Sequence, residues 1–196
     1  MFFYAAKYFM WLYIHLLYRL KITGANNIPA EGGFILCSNH LHSLDPATHT
    51  VSIKRRLSFM GKNELFRRWY GRWFFGKLGV FPVNRGTADL KSYKTALSRL
   101  NGGMGLMIFI QGTRMKEIDI KDAKGGAAMF ALKTGVPIIP AGINSTYKIF
   151  SAIEVQYGAP VFLDEYKGRR INSELIDEIT EKLMSEVRRL ASRQTV

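Results

Sequence analysis

The sequence predicts an α/β fold: a largely parallel central sheet flanked by helices, with an N-terminal helix lying in a membrane interface. Two observations carry this. Apolar, strand-like runs alternate with helix-like segments along most of the chain, the pattern of a buried parallel sheet with crossover helices. The first twenty residues, by contrast, follow a pattern of their own. With 196 residues and no internal repeat, low-complexity tract or long linker, the chain reads as one domain over 21–196 behind an amphipathic, membrane-anchoring helix over 1–20.

The N-terminal stretch MFFYAAKYFMWLYIHLLYRL has no small-residue cleavage site and is interrupted by Lys7, His15 and Arg19, so it suits neither a signal peptide nor a spanning helix. On a helical wheel Tyr4, Lys7, Tyr8, Trp11, His15, Tyr18 and Arg19 share one side. Phe2, Phe3, Phe9, Met10, Leu12, Tyr13, Ile14, Leu16, Leu17 and Leu20 share the other. An apolar face opposite an aromatic and cationic one fits a bilayer interface. The alternative is a helix packed on the core. The strand-like runs that follow are 32–38, 56–61, 79–84, 105–110, 136–143 and 152–163, and the helix-like segments lie near 46–54, 63–77, 88–100 and 124–134. A last helix from about Ser173 to Ser192 sets Leu175, Ile179, Leu183, Val187 and Leu190 on one stripe, to dock on the core.

The net charge of +13 implies attraction to nucleic acid, an anionic membrane or acidic substrates and carriers, without choosing among them. Within FRRWYGRWFFGK (66–77), Arg67, Arg68, Arg72 and Lys77 are interleaved with aromatics too dense and contiguous for a solvated nucleic-acid groove, so a bilayer-facing surface fits better. The single cysteine, Cys37, ends an apolar run and reads as a packing residue, and it allows no internal disulfide.

The chemistry gathers in CSNHLHSLDP (37–46). His40, His42, Asp45 and His49 invite a metal reading, but no histidine or cysteine follows His49 to complete a coordination sphere. The other reading is a general base. Asp45-Pro46 opens a helix, with aspartate as N-cap and proline at the first helical position, which leaves His40 in the loop between a buried strand's end and that helix. In open α/β sheets ligands bind there. A carboxylate on one imidazole nitrogen sets the tautomer and leaves the other nitrogen to accept a proton.

These residues carry a resemblance. NHLHSLD matches the NHxxxxD motif of the glycerolipid acyltransferases, and further segments agree in order: GKNEL (61–65), GVFPVNRG (79–86), QGTR (111–114) in place of EGTR, and KGGAAMFALKTGVPIIPAGI (124–143). The chain is similar to bacterial 1-acyl-sn-glycerol-3-phosphate acyltransferases from about Phe34 to Ile143. The resemblance implies a glycerolipid acyltransferase-like fold and acyl transfer from acyl-carrier protein or acyl-CoA to the sn-2 hydroxyl of lysophosphatidate, giving phosphatidate in phospholipid biosynthesis. His40 would be the base and Asp45 its orienter, with no covalent acyl-enzyme. Lys62, Arg85 and Arg114 fall on the family's anion-binding positions, while Gly112 and Thr113 offer backbone and hydroxyl donors. Asn39 is expected to hold the loop. Gln111 departs from the family's glutamate, keeping an acceptor oxygen but losing the charge.

The implied setting is the cytoplasmic face of a bacterial cell membrane, bound peripherally or monotopically, with membrane phospholipids as a partner. The thioester is a co-substrate; no cofactor, metal or nucleic acid is expected. Alternatives at this stage are a different acceptor, glycerol 3-phosphate or another lysophospholipid, and a weakly active membrane-binding relative.

Overall fold

A computed structural model of the chain describes residues 1–84, 89–115 and 120–192. In chain order the elements are α1 (Phe2–Leu17), β1 (Arg19–Thr23), β2 (Phe34–Ser38), α2 (Asp45–Ser52), β3 (Leu57–Lys62), α3 (Trp69–Lys77) and β4 (Val80–Val83). They continue with α4 (Leu90–Asn101), β5 (Gly105–Phe109), α5 (Gly126–Thr134), β6 (Ile138–Ser145), β7 (Ala152–Tyr157) and α6 (Ser173–Ser192). The strands form one sheet in the order β1-β7-β6-β2-β5-β3-β4. From β6 across to β4 every pairing is parallel; β7 lies antiparallel to β6, and β1 pairs with β7 at the edge.

Every residue of β2 is buried because both faces of the sheet are covered. Ile35 and Cys37 point into a core shared with α4, α5 and α6, while Phe34 and Leu36 point into a second core completed by residues of α1 and the β6–β7 pair. Of the α6 stripe, Leu175, Ile179, Leu183 and Val187 are buried in the first core, and Leu190 is buried one turn beyond them. Gly142 allows the closest approach: a Cβ there would stand 2.2 Å from the backbone nitrogen of Ala191, so only glycine lets α6 lie directly on β6.

Three boundaries differ from the sequence reading. Segment 63–77 is not one helix but a 3₁₀ turn (Asn63–Phe66) followed by α3, because the chain doubles back until Gly71 sits against the Leu65 carbonyl, 2.1 Å from where a Cβ would be. The run 152–163 stops as a strand at Tyr157; beyond it only Val161 pairs, exchanging hydrogen bonds of 2.9 and 2.7 Å with Ile138.

The third difference concerns the N-terminal helix, expected over 1–20. It ends at Leu17, and Arg19 and Leu20 belong to edge strand β1, in register with Ala152 and Ile153. Its faces are also redistributed. From the apolar side Phe3 and Ile14 are buried, with Met10 and Leu17 partly buried beside Ile14 in the second core, and Tyr18, from the opposite side of the wheel, is buried with them at the helix end. Phe9, Leu12, Tyr13 and Leu16 stay exposed together with Tyr4, Tyr8 and Trp11. Lys7, placed on the outer cationic face by the wheel, turns inward and donates from Nζ to the Ile53 carbonyl at 2.6 Å. That carbonyl lies at the C-terminus of α2, where unpaired acceptors and the helix dipole favour a cation, although burial lowers the ammonium pKa.

Candidate active site

The parallel strands end on one edge of the sheet, and the motif segments sit at those ends: residues 39–44 after β2, Lys62 closing β3, and Gln111–Arg114 after β5. Arg85, expected after β4, lies outside the described residues. The crevice beyond the carboxyl ends of parallel strands is where open α/β sheets bind ligands.

The loop after β2 is tied down atom by atom. Asn39 is buried and behaves as a piece of backbone: its Nδ2 donates to the Ile143 carbonyl at 2.9 Å, and its Oδ1 accepts from the Ile143 amide at 2.8 Å. This continues the β2–β6 pairing past the strand's last residue. His40 then turns its ring onto Phe109, the last residue of β5, stacked at 3.9 Å between centroids and 14° between planes. Its Nδ1 lies 2.7 Å from Asp45 Oδ2, with the His40 side chain 16% exposed and the Asp45 side chain wholly buried.

Asp45 does not serve as the helix cap expected of it. Leu44 occupies that position with no side-chain cap hydrogen bond, and Pro46 follows in the first turn. The carboxylate instead turns back toward the loop, where Oδ2 also accepts from the amides of Leu41 (2.6 Å) and His42 (2.8 Å), and Oδ1 accepts from the Tyr147 hydroxyl. Burial acts to raise the Asp45 pKa, but the hydrogen bonds from His40, Tyr147, His42 and Leu41 together outweigh it and hold the carboxyl below its ordinary range. An ionised Asp45 is an acceptor only. His40 Nδ1 therefore carries the proton and donates it, and the lone pair is left on Nε2.

The other two histidines nearby are differently occupied. His42 accepts the Leu44 amide at Nδ1 (3.3 Å) and stacks on Tyr147 at 4.4 Å. His49 is fully buried in α2 between the Tyr157 hydroxyl at Nδ1 and Ser38 Oγ at Nε2, each 3.2 Å away. Burial is the main cause that pushes its pKa down to about 4, with Asp45 opposing and His40 adding to the fall, so it is neutral beneath the His40–Asp45 pair. Among the described residues no three His, Cys, Asp or Glu side chains converge as a metal-holding group.

The QGTR loop is fastened to the His40 segment at both ends: the Ile110 amide donates to Ser38 O (2.9 Å) and the Met115 amide to His40 O (2.9 Å). Between them Gly112 adopts φ +71°, a left-handed turn that favours glycine, with its amide on the Phe109 carbonyl at 2.9 Å. Gln111 is buried, whereas Thr113 and Arg114 are exposed at the mouth. Lys62 stands apart from this knot, its Nζ 3.2 Å from Glu64 in an exposed ion pair. The Asn63–Asn84 side-chain bond (2.8 Å) ties the ends of β3 and β4 together just before position 85.

Phe109 and Tyr147 escaped the sequence reading. Phe109 stands two residues before Gln111 and carried a faint signal, an aromatic at a strand's end beside a motif. Tyr147 carried none, since it meets Asp45 across 102 residues of chain.

A buried, ionised carboxylate that orients an imidazole at the carboxyl edge of a parallel sheet is an arrangement able to take up and release a proton, and the chain that carries it matches a known family. The family model described as Acyltransferase matches residues 19–144, and the chain belongs to that family. Its relatives make the kinship more particular. It is 29% identical over 181 residues to a 1-acyl-sn-glycerol-3-phosphate acyltransferase of Bacillus subtilis, covering 89% of each chain. To the enzyme of that name from Borreliella burgdorferi it is 27% identical over 183 residues, covering 84% of this chain and 72% of the relative. The crystal structure of the 1-acyl-sn-glycerophosphate (LPA) acyltransferase PlsC from Thermotoga maritima superposes with a TM-score of 0.74 at 24% identity, covering 97% of this chain and 80% of that one, a likeness of fold. The protein is an acyltransferase.

Proposed function

We propose that this acyltransferase moves an acyl group from a thioester, of acyl-carrier protein or coenzyme A, to the sn-2 hydroxyl of lysophosphatidate. The observation that carries the reading is the His40 Nδ1–Asp45 Oδ2 contact of 2.7 Å with the carboxylate held ionised. His40 Nε2 takes the hydroxyl proton as the acceptor oxygen attacks the thioester carbonyl. The C–O bond forms, the C–S bond breaks, and the imidazolium returns the proton to the departing thiolate. Asp45 keeps the ring oriented and offsets its charge while the proton is held, a contribution of about 10²–10⁴-fold for a positioned base. No step requires a covalent acyl-enzyme or a cofactor beyond the thioester. The names of the relatives from Bacillus subtilis and Borreliella burgdorferi support this choice of acceptor.

Arg114, Lys62 and Arg85 are assigned to the acceptor's phosphate, arginine as a fork and lysine as a point charge. Thr113 adds amide and hydroxyl donors, Gly112, whose amide is engaged with the Phe109 carbonyl, shapes the turn that presents them, and Gln111 takes the place of a carboxylate at the loop's start.

The enzyme works on a bilayer surface, at the cytoplasmic leaflet. No helix among the described residues is long and apolar enough to cross a membrane. The outer face of α1, Trp69, Tyr70, Trp73 and Phe74 of α3, and the tip Ile149-Phe150 expose their rings and aliphatic chains. Phe2 joins the two helices through ring contacts of 5.0 and 5.9 Å with Trp73 and Phe74, and the Phe150 amide joins the tip to the end of α1 through Leu17 O (2.7 Å). Exposed aromatics beside Arg67, Arg68 and Arg72 match an anionic interface, where each cation contributes about 1 kcal/mol.

Incubation with lysophosphatidate and each thioester in turn, followed by the mass of the lipid product, tests the reading. Phosphatidate is expected. Acylation of glycerol 3-phosphate or another lysophospholipid in preference to lysophosphatidate would replace the acceptor; no product with any of them would remove the function.

A further inference from the structure

The carboxylate of Asp45 has two oxygens, and the pairing with His40 explains only one of them. Oδ2 receives three donors from within five residues of chain: His40 Nδ1 and the amides of Leu41 and His42. Oδ1 receives the hydroxyl of Tyr147, from the loop between β6 and β7. The geometry points to Tyr147 as a positioning residue for acyl transfer: its hydroxyl locks the rotation of the Asp45 carboxylate and, through it, sets the orientation and basicity of His40. This inference rests on the base role of His40 proposed above.

Three observations show that the loop is built to hold this contact. Tyr147 adopts φ +53°, a left-handed conformation unfavourable for a residue with a Cβ, and Phe150 three residues later adopts φ +65°. Such strain persists only where surrounding contacts over-determine it. Those contacts are present: the Tyr147 amide donates to Ser145 Oγ (3.0 Å), which itself donates to Ala152 O (2.8 Å), and the Phe150 amide donates to Leu17 O (2.7 Å). The ring is clamped as well, stacked on His42 at 4.4 Å and met edge-on by Tyr18 at 6.1 Å.

The hydroxyl is also held in its donor form. Burial and the adjacent Asp45 charge both raise its pKa, so it keeps its proton throughout the working range. The titratable groups around Asp45 are then His40 and His42 from the loop, His49 from α2, and Tyr147 with Tyr18 behind it. Of these, His49 stays neutral above about pH 4. A donor on Oδ1 draws carboxylate charge away from His40. Removing it leaves more negative charge facing the imidazole, which favours the imidazole's protonated form, and frees the carboxylate to rotate, which disorders the ring.

Tyr147→Phe deletes the hydroxyl and keeps both ring contacts. The expected result is a loss on the order of tenfold in kcat, the scale of one hydrogen bond to a charged group, with KM for lysophosphatidate and thioester unchanged. The acid limb of the pH–kcat/KM profile should move to higher pH, and the His40 imidazole followed by NMR in the same variant should titrate higher by the same amount. In an Asp45→Asn background the substitution should leave the His40 titration unmoved, because its path to His40 has been removed. Unchanged profiles and titrations in Tyr147→Phe, with His40→Ala inactive, would overturn the positioning role and leave the base standing. An equal shift in the Asp45→Asn background would also overturn it. Activity surviving in His40→Ala would instead remove the base reading, and this inference with it.

Discussion

The end of β2 and the outer surface of α1 and α3 break the ordinary rule of burial in opposite directions. At the first, a carboxylate is wholly buried and four donors converge on it; at the second, Trp69 is 74% exposed and Phe9 68%. Buried charge and exposed aromatic rings are the two informative exceptions to sorting residues by polarity. The buried carboxylate survives because its hydrogen bonds replace water, so every neighbour is constrained and the region tolerates little change. The aromatic surface is held by ring contacts such as Phe2 on Trp73 and Phe74 and carries no buried charge, so change there should leave stability nearly intact and, on the bilayer reading proposed above, should alter membrane binding.

The largest expected effect is at the knot itself. His40→Ala should cost about 10²–10⁴-fold in kcat with the fold retained, while His42→Ala, which removes a ring stacked on Tyr147, should stay within about tenfold of wild type. Equal losses in the two variants, or activity abolished by a chelator and restored by zinc, would refute the assignment.

Second is a stability effect that belongs to the knot and has no counterpart on the aromatic surface. The folded pKa of His49 lies below its unfolded value of 6.5, at about 4, so between these limits the unfolded chain binds the extra proton. Stability from this source is therefore fully present above the unfolded value and is lost as pH falls toward the folded one. The loss should be on the order of 2 kcal/mol between about pH 8 and about pH 5. Urea titrations at the two values measure it, and His49→Gln should flatten the dependence. A slope unchanged by that substitution sinks the assignment to His49.

Arg114, exposed in the loop after β5, comes third. Arg114→Lys keeps the charge and loses the fork, which at about 1.5–3 kcal/mol corresponds to roughly ten- to a hundred-and-fifty-fold in kcat/KM for the phosphorylated acceptor. Gln111→Glu should raise turnover. A change confined to the thioester KM in Arg114→Lys would place that arginine on the acyl carrier instead.

The smallest effect on the fold, and the sharpest contrast with the knot, is expected of Trp69→Ser with Trp73→Ser. Both side chains are more than half exposed, so the pair should shift folding stability by about 1 kcal/mol or less while weakening liposome flotation in high salt. Cutting the chain near Lys21 is a poorer test, because it would remove buried Ile14 and Tyr18 and part of β1 along with the surface. Flotation unchanged in the double variant would mean that these aromatics do not face the bilayer.

What the sequence determined by itself is what short-range patterns encode. Apolar runs bounded by turn residues marked β2 through β6 to within two residues at either end, most plainly for β2 and β5, because a strand buried on both faces must be apolar along its length. His40 and Asp45 were readable as a pair because five residues of loop and helix start are enough to join them, with no distant partner required. Tertiary structure alone decided the rest. Strand β1, RLKIT, is mostly exposed and has little apolar burial to announce it; it exists because β7 offers its edge 133 residues further on. The wheel sorted α1 by polarity and sent Lys7 outward, whereas the packed helix turns it to the carbonyl at the end of α2, a partner that periodicity cannot show. Tyr147 reaches Asp45 only after β6 and β2 pair side by side, and contacts closed across that much chain leave no trace in local composition.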